Sequence, residues 1–457
     1  MTDTSTAGPD DGDRMTGDGT PASTARMRRR AGIASFVGTT IEWYDFYIYG
    51  TAAALVLGPL FFPSVSPAAG VLASFATFWV GFLARPIGGI VFGHLGDRLG
   101  RKTALVSTLM LMGVSTLAIG LLPSFDEIGT AAPVLLVTAR LVQGLAVGGE
   151  WGGAVLIASE HASKGKKILY GAFAQQGSPA GQMLATGSFA LAATLPEADF
   201  LSWGWRVPFL VSAALVVVGL IIRLRIEESP ELARLRRTGS TSRFPLGELM
   251  RGAKGMVALS IGACALVAAA AYFKNTFALS WATTELGYDR STFLNVILIS
   301  SFVQFCTQPL GAFMATWWNP RKVVTALLIL ELPLFPLMFA MISTGNFALA
   351  ALGMALATLP HTMYYAILAG MLAEAFPARM RYTAISLSYA LAGTMFGGTA
   401  PLIGQSLLSL TGSIVPVVVY SLLIVVLSLF TARAILRRGP APDPDAAPAA
   451  SRRAEAV

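Results

Sequence analysis

Twelve stretches of about twenty mostly apolar residues follow one another along this chain of 457 residues, more than a soluble core can bury. They span residues 31–58, 70–93, 103–122, 133–157, 168–195, 207–224, 256–280, 293–316, 323–343, 348–373, 383–410 and 414–435. In hydrocarbon no water satisfies backbone N–H and C=O groups, so uniformly apolar stretches of this length are expected to be helices. The expected fold class is therefore an all-α membrane protein with twelve transmembrane helices. Charged residues make up 13% of the chain, against roughly a quarter in soluble domains, which argues against an ordinary globular enzyme.

Polar segments divide the apolar ones. Residues 1–30 open on an acidic stretch rich in Gly and Thr that buries too little apolar surface to fold, and a disordered N-tail is expected. It lacks the charged start, short apolar core and small-residue cleavage site of a signal peptide. Residues 225–255 form the longest polar interruption, and residues 436–457 a Pro- and Ala-rich tail without heptads. Cys264 and Cys306 both lie in apolar stretches and imply no disulfide framework.

Basic residues supply an independent test of the topology, because cytoplasmic loops collect Lys and Arg. With the N-terminus inside, twenty-eight of the 33 basic residues fall on the cytoplasmic side. Only Arg206 and Arg290 fall outside, while Arg85, Arg140 and Lys274 lie in or near spans. This split predicts an even number of spans with both termini cytoplasmic. It also accounts for the net charge of +8: the positive side faces anionic membrane lipids, and nucleic acid is not an expected partner.

The polar interruption follows the sixth span, dividing the chain into six-helix bundles at 31–224 and 256–435. The sequence repeats accordingly. Arg85-Pro86-Ile87-Gly88 in the second span recurs as Gln308-Pro309-Leu310-Gly311 in the eighth, each followed by a basic pair, Arg101-Lys102 and Arg321-Lys322. Two pseudo-symmetric halves are a common transporter plan.

Between the second and third spans runs Gly93-His94-Leu95-Gly96-Asp97-Arg98-Leu99-Gly100-Arg101-Lys102. Its glycines permit close helix ends and its charges suit helix termini and lipid phosphates. This signature resembles the loop of the major facilitator superfamily, with Gly93, Gly96, Asp97, Arg98, Gly100 and Arg101 as its gating residues. Further stretches resemble the metabolite:proton symporters within it, carriers of shikimate, 2-oxoglutarate, citrate, and proline or betaine. They are Gly38-Thr39-Thr40-Ile41-Glu42-Trp43-Tyr44-Asp45-Phe46, Phe82-Leu83-Ala84-Arg85-Pro86-Ile87-Gly88-Gly89, Arg140 through Trp151, and Phe376-Pro377-Ala378-Arg379-Met380-Arg381-Tyr382-Thr383. The resemblance implies the major facilitator fold, a bacterial inner-membrane location, a functional monomer and no cofactor beyond the coupling proton. Two features depart from it. The second-half loop Ala315-Thr316-Trp317-Trp318-Asn319-Pro320-Arg321-Lys322 lacks Gly-Asp-Arg, so its gating contact is expected to be weakened or replaced. The C-tail lacks the coiled coil of osmosensing betaine carriers.

Ionisable residues within spans are expensive and mark ion or substrate pathways. Glu42 and Asp45 lie near mid-depth of the first span on one face, with Tyr49 a turn further on. Two close carboxylates in a low dielectric repel, which favours an exchangeable proton; the alternative is a structural pair locked to Arg85 or Arg140. Arg140 cannot shed its proton and needs an anionic or hydrogen-bonding partner. Glu150 lies about 15 Å deeper, and the resemblance ties Arg140 with Gln143 and Gly144 to proton coupling. Glu42, Asp45, Arg140 and Glu150 are the proton-coupling candidates. Trp43, Tyr49, Arg85, Gln143, Tyr272, Lys274, Asn275, Gln304 and Tyr364 are the substrate-binding candidates. Against them stand plainer readings: Trp43 as packing, Arg85 snorkelling to the interface, Lys274 reaching the outer surface, and isolated polar residues as helix-to-helix hydrogen bonds. Glu331 reads as structural.

The leading functional reading is a secondary active transporter: a proton and a small, carboxylate-bearing metabolite bind between halves that open alternately inward and outward. Osmoprotectant uptake, proton-driven efflux and a channel are the alternatives. The chain has no Gly-x4-Gly-Lys-Ser/Thr loop for ATP and no spacing of metal ligands or nucleophiles for an enzyme.

Overall fold

The computed structural model describes residues 21–99, 101–148, 175–224 and 245–439. Among them the secondary structure is helical, without strands. Twelve helices or helical composites run back and forth. In the first half they are α1 (Pro21–Leu55), α2 (Pro67–Leu99), α3 (Arg101–Gly120), α4 (Ala131–Val147), α5 (Gly177–Ala192) and α6 (Val207–Leu224). In the second they are α7 (Lys254–Thr284, with a π-helical turn at Phe273–Phe277), α8 (Arg290–Trp317), α9 (Pro320–Ile342) and α10 (Phe347–Ala375). There follow α11 (Ala378–Ala392, a π turn at Gly393–Gly397, then Thr399–Thr411) and α12 (Val415–Arg438). Seven of these are long and apolar enough to span a membrane by length and composition alone. The others fall short for local reasons: α1 carries charges, α3 and α4 have shorter apolar runs, α5 is described over 16 residues, and α11 is interrupted by its π turn.

The sequence boundaries need three corrections. α1 begins at Pro21, ten residues before the expected span, because Pro is well placed at a first helical position and the following Ala, Met and Arg favour helix. Residues Pro245–Gly252 of the expected linker are a short helix, and α7 starts at Lys254. α12 runs to Arg438, three residues beyond its expected end. The rest of the expected tails and linker, 1–20, 225–244 and 440–457, lies outside the described residues.

The internal repeat governs packing. α1 packs on α5, α2 on α4, and α3 on both α4 and α6; likewise α7 packs on α11, α8 on α10, and α9 on both α10 and α12. Across the two sets, α5 meets α8, α2 meets α11, and α1 meets α7. The repeated Pro-x-Gly has a physical reason. A Cβ at Gly88 would fall 1.9 Å from the Leu145 carbonyl oxygen of α4, and one at Gly311 2.1 Å from the Met363 carbonyl oxygen of α10. Only glycine allows backbones to approach this closely.

Because the helices alternate in direction, the first and last described residues share one face. Arg206 directly precedes α6 and Arg290 opens α8, which places both at the opposite ends of the helices. On that opposite face Asp289, at the start of α8, accepts from the backbone N–H groups of Ser291 (2.9 Å) and Thr292 (3.1 Å). Asn346 caps α10 in the same way.

Candidate functional site

Two polar networks occupy the middle of the molecule. The first lies within the first six helices. Asp45 of α1 is fully buried, and both its oxygens accept hydrogen bonds: Oδ2 from Thr116 of α3 at 2.9 Å, Oδ1 from Ser212 of α6. Gln143 of α4 donates to Thr116 Oγ1 at 2.8 Å, and Arg140 Nη1 donates to the Gln143 side-chain oxygen. Arg140 also donates from Nη2 to the Phe78 carbonyl at 3.3 Å and lies over the Tyr49 ring, 3.8 Å from its centroid. Tyr49 and Thr77 share a hydroxyl hydrogen bond of 2.6 Å. Asp45 is thus linked to Arg140 through two neutral side chains, with the cation further held by aromatic faces.

Glu42 lies elsewhere. It lines a small central cleft with Trp43, Phe46, Arg85, Val147, Gly148, Ser386, Tyr389 and Ala390. The sequence placed Glu42 and Asp45 on one face; the fold separates their surroundings, because neighbours three residues apart still differ by about 60° around a helix. Asp45 meets α3 and α6, whereas Glu42 meets α2, α4 and α11 across the cleft.

Arg85 does not snorkel. Its guanidinium sits between the rings of Phe46 (4.1 Å) and Phe82 (3.9 Å), and its Nε and Nη2 have no hydrogen-bond partner. Trp43 stacks on Tyr47 with centroids 5.5 Å apart, so it both packs and faces the cleft. Tyr272 of α7 meets Phe78 at 5.1 Å and Phe82 at 5.4 Å, an aromatic junction between the two sets of helices. Trp79 Nε1 donates to the Thr394 carbonyl at 3.0 Å and Thr394 Oγ1 to the Phe82 carbonyl at 2.8 Å, which ties α2 to the π turn of α11. π turns recur at functional sites because they widen the helix locally.

The cleft offers about 20 Å³, room for one water and far too little for a metabolite. On the opposite face, Arg290 pairs with Glu197 at 3.9 Å and lies 4.4 Å over the Phe200 ring, bridging α8 to the connection between α5 and α6.

The second network is inside the second six helices. Lys274, carried on the π turn of α7, donates to Thr358 Oγ1 of α10 at 2.6 Å, and Thr358 shares a 2.7 Å hydrogen bond with Ser300 of α8. Glu331 of α9 is fully buried, its oxygens accept no hydrogen bond, and His361 Nδ1 lies 3.7 Å away. Lys274 therefore neither reaches the outer surface nor lines the mapped cleft. Tyr364 donates to the Ala263 carbonyl at 2.8 Å, and Gln304 to Gln308 at 3.4 Å, both helix-to-helix or within-helix ties. Asn275 is buried, with its side-chain oxygen unpartnered.

Gly93, Gly96, Asp97 and Arg98 belong to the end of α2, and Arg101 opens α3. The described part of the expected loop signature is thus helix. Gly100 and Glu150 lie outside the described residues. The sequence reading missed Thr116 and Ser212. Single hydroxyls in apolar spans are common, and only the opposing carboxylate distinguishes these two.

A family model described as "Sugar (and other) transporter" matches residues 31–321. The chain belongs to that family. Membership makes it a carrier of small solutes rather than an enzyme, in a family that works without a prosthetic group, and its helices have the major facilitator fold. Among curated relatives, the shikimate transporter of Escherichia coli (strain K12) is 41% identical over 387 residues, covering 83% of this chain and 88% of the relative. The proline/betaine transporter of the same organism is 30% identical, covering 93% and 86%. Among solved structures, the proton:xylose symporter XylE bound to 6-bromo-6-deoxy-D-glucose superposes with a TM-score of 0.73 at 15% identity, covering 91% of this chain and 96% of that one. The last likeness concerns fold alone.

Proposed function

We propose that this carrier is a proton-coupled symporter that takes up a small carboxylate-bearing metabolite across the bacterial inner membrane, with both termini cytoplasmic. The observation that carries the reading is the buried chain Asp45–Thr116–Gln143–Arg140. Thr116 has two acceptors for its single proton, Asp45 Oδ2 at 2.9 Å and the Met112 carbonyl at 3.0 Å. When Asp45 takes up a proton, Thr116 can turn its hydroxyl to Met112 and accept from the new carboxyl O–H while still accepting from Gln143. The change of charge is accommodated by hydroxyl rotation, and Arg140 loses its counter-charge. A carboxylate is a suitable trigger because the neighbouring cation retains its own proton.

Arg85 supports the substrate class. A guanidinium with two unpartnered donors beside a cleft suits a carboxylate, and the aromatic rings around it suit a flat or cyclic body. The relative that transports shikimate makes that ring acid the first probe. A betaine-type cation would need the faces of Phe46 and Phe82, which Arg85 occupies, so osmoprotectant uptake is the weaker reading. With a cleft of about 20 Å³, substrate entry requires the bundles 31–224 and 256–435 to rock apart, as alternating access demands. The site lies within one chain, so a monomer suffices. Purified protein in liposomes should accumulate shikimate, or another carboxylate from a panel including betaine, when the outside is made acidic. Asp45→Asn should abolish that accumulation while the protein still inserts. Undiminished gradient-driven uptake by the variant would sink the coupling assignment.

A further inference from the structure

On the chain-end face, the start of α9 and the end of α12 flank an open groove of about 470 Å³. Four cationic side chains line it: Arg321 and Lys322 from α9, Arg433 and Arg437 from α12. No described carboxylate pairs with any of them. Between the cations the wall is Thr325 and Ala326, with Ile329 and Leu436 supplying an apolar side. Beside it, at the end of α8, Trp317 and Trp318 are 74% and 62% exposed. Large exposed indoles at a helix end mark the level of lipid headgroups, where an amphipathic ring is best placed.

We infer that this groove binds an anionic phospholipid, with its phosphodiester headgroup between the four cations and its acyl chains running down past Ile329. The charge and size favour a headgroup with two phosphates over one: four cations without a partner among the described carboxylates would leave a single phosphate over-compensated. Basic pockets between transmembrane helices take such headgroups. The second-half loop, where Gly-Asp-Arg is missing, thereby has a different task. Its basic pair points to α12, away from the junction of the halves, and holds lipid at the back of the second bundle. Asn319 prepares the site by accepting from the Arg321 N–H at 3.0 Å, which orders the first turn of α9.

The test is native mass spectrometry and thermal unfolding of the full purified chain with diphosphatidylglycerol, phosphatidylglycerol and phosphatidylcholine. The wild type should retain diphosphatidylglycerol about tenfold or more tightly than phosphatidylcholine. Arg321→Gln with Lys322→Gln, and separately Arg433→Gln with Arg437→Gln, should each lose most of that preference. Arg251→Gln with Lys254→Gln, on the same face outside the groove, should keep it. Equal lipid retention by wild type and both groove variants overturns the proposal. So does competition by inorganic pyrophosphate as effective as by the lipid, which would mark a site for soluble phosphate. If one groove pair fails to fold, the other decides. None of these measurements needs a transported substrate, so failure here is distinct from failure of the symport reading.

Discussion

Arg140 and Asp45 are joined through Gln143 and Thr116, four side chains from α1, α3 and α4 that form one buried chain of hydrogen bonds. An intervening pair of neutral groups weakens the attraction that a direct ion pair would have. The aromatic faces of Tyr49 and Phe78 provide the remaining support for the cation.

Thr116→Val tests this chain directly. The substitution keeps the shape and removes the hydroxyl between Asp45 and Gln143. Loss of the two side-chain hydrogen bonds should cost about 1–3 kcal/mol. In liposomes, gradient-driven accumulation should fall by an order of magnitude or more, while exchange of labelled for unlabelled substrate should persist. Equal loss of both would assign Thr116 a purely structural role.

Close helix contacts should tolerate no added methyl. A Cβ at Gly144 would fall 2.0 Å from the Gly81 carbonyl oxygen, whereas nothing lies within 4 Å of one at Gly187. Gly144→Ala should cost about 1–3 kcal/mol or more and lower the yield of monodisperse protein. Gly187→Ala should be neutral. Size-exclusion profiles and Tm of the two variants make the comparison.

Arg290 should matter more than its ionic partner. Its pairing with Glu197 is long, at 3.9 Å, and Glu197 is 77% exposed, so Glu197→Gln should change little, within about 0.5 kcal/mol. Arg290→Ala also removes the contact with Phe200. It should increase labelling of a cysteine placed below this contact by a thiol reagent applied from the face opposite the chain ends. Unchanged labelling would show that the contact does not hold that face shut.

Asp289 supplies a pH-dependent contribution outside the membrane. The Ser291 hydroxyl, then the backbone N–H groups of Thr292 and Ser291, hold its carboxyl below the usual carboxylate range. A depressed folded value means the stabilisation is present above the unfolded pKa of about 4 and is lost as pH falls through the folded value. Asp289→Ala should therefore lower stability by about 1 kcal/mol at neutral pH, with the difference from wild type vanishing in strong acid. Tm measured against pH for both proteins follows the effect.

Much of the molecule was legible along the chain. Apolar runs mark the spans, because a helix needs about twenty residues to cross hydrocarbon. The repeated Pro86-x-Gly88 and Pro309-x-Gly311 announce the duplicated plan, and the helices pack accordingly. The ends of helices were less legible: α1 and α2 continue as helix beyond their apolar parts, where polarity alone suggests tail or loop.

Sequence by itself determined the membrane class, the twelve spans and the ionisable residues within them worth attention, Glu42, Asp45, Arg85, Arg140 and Lys274 among them. Tertiary structure decided their partners. It turned Asp45 toward Thr116 and Ser212, left Glu42 on the cleft, stacked Arg85 between two phenylalanine rings, and placed Lys274 with Thr358 inside the second bundle. Helical periodicity sets which residues share a face of one helix; which neighbour covers that face depends on packing between segments far apart in the chain.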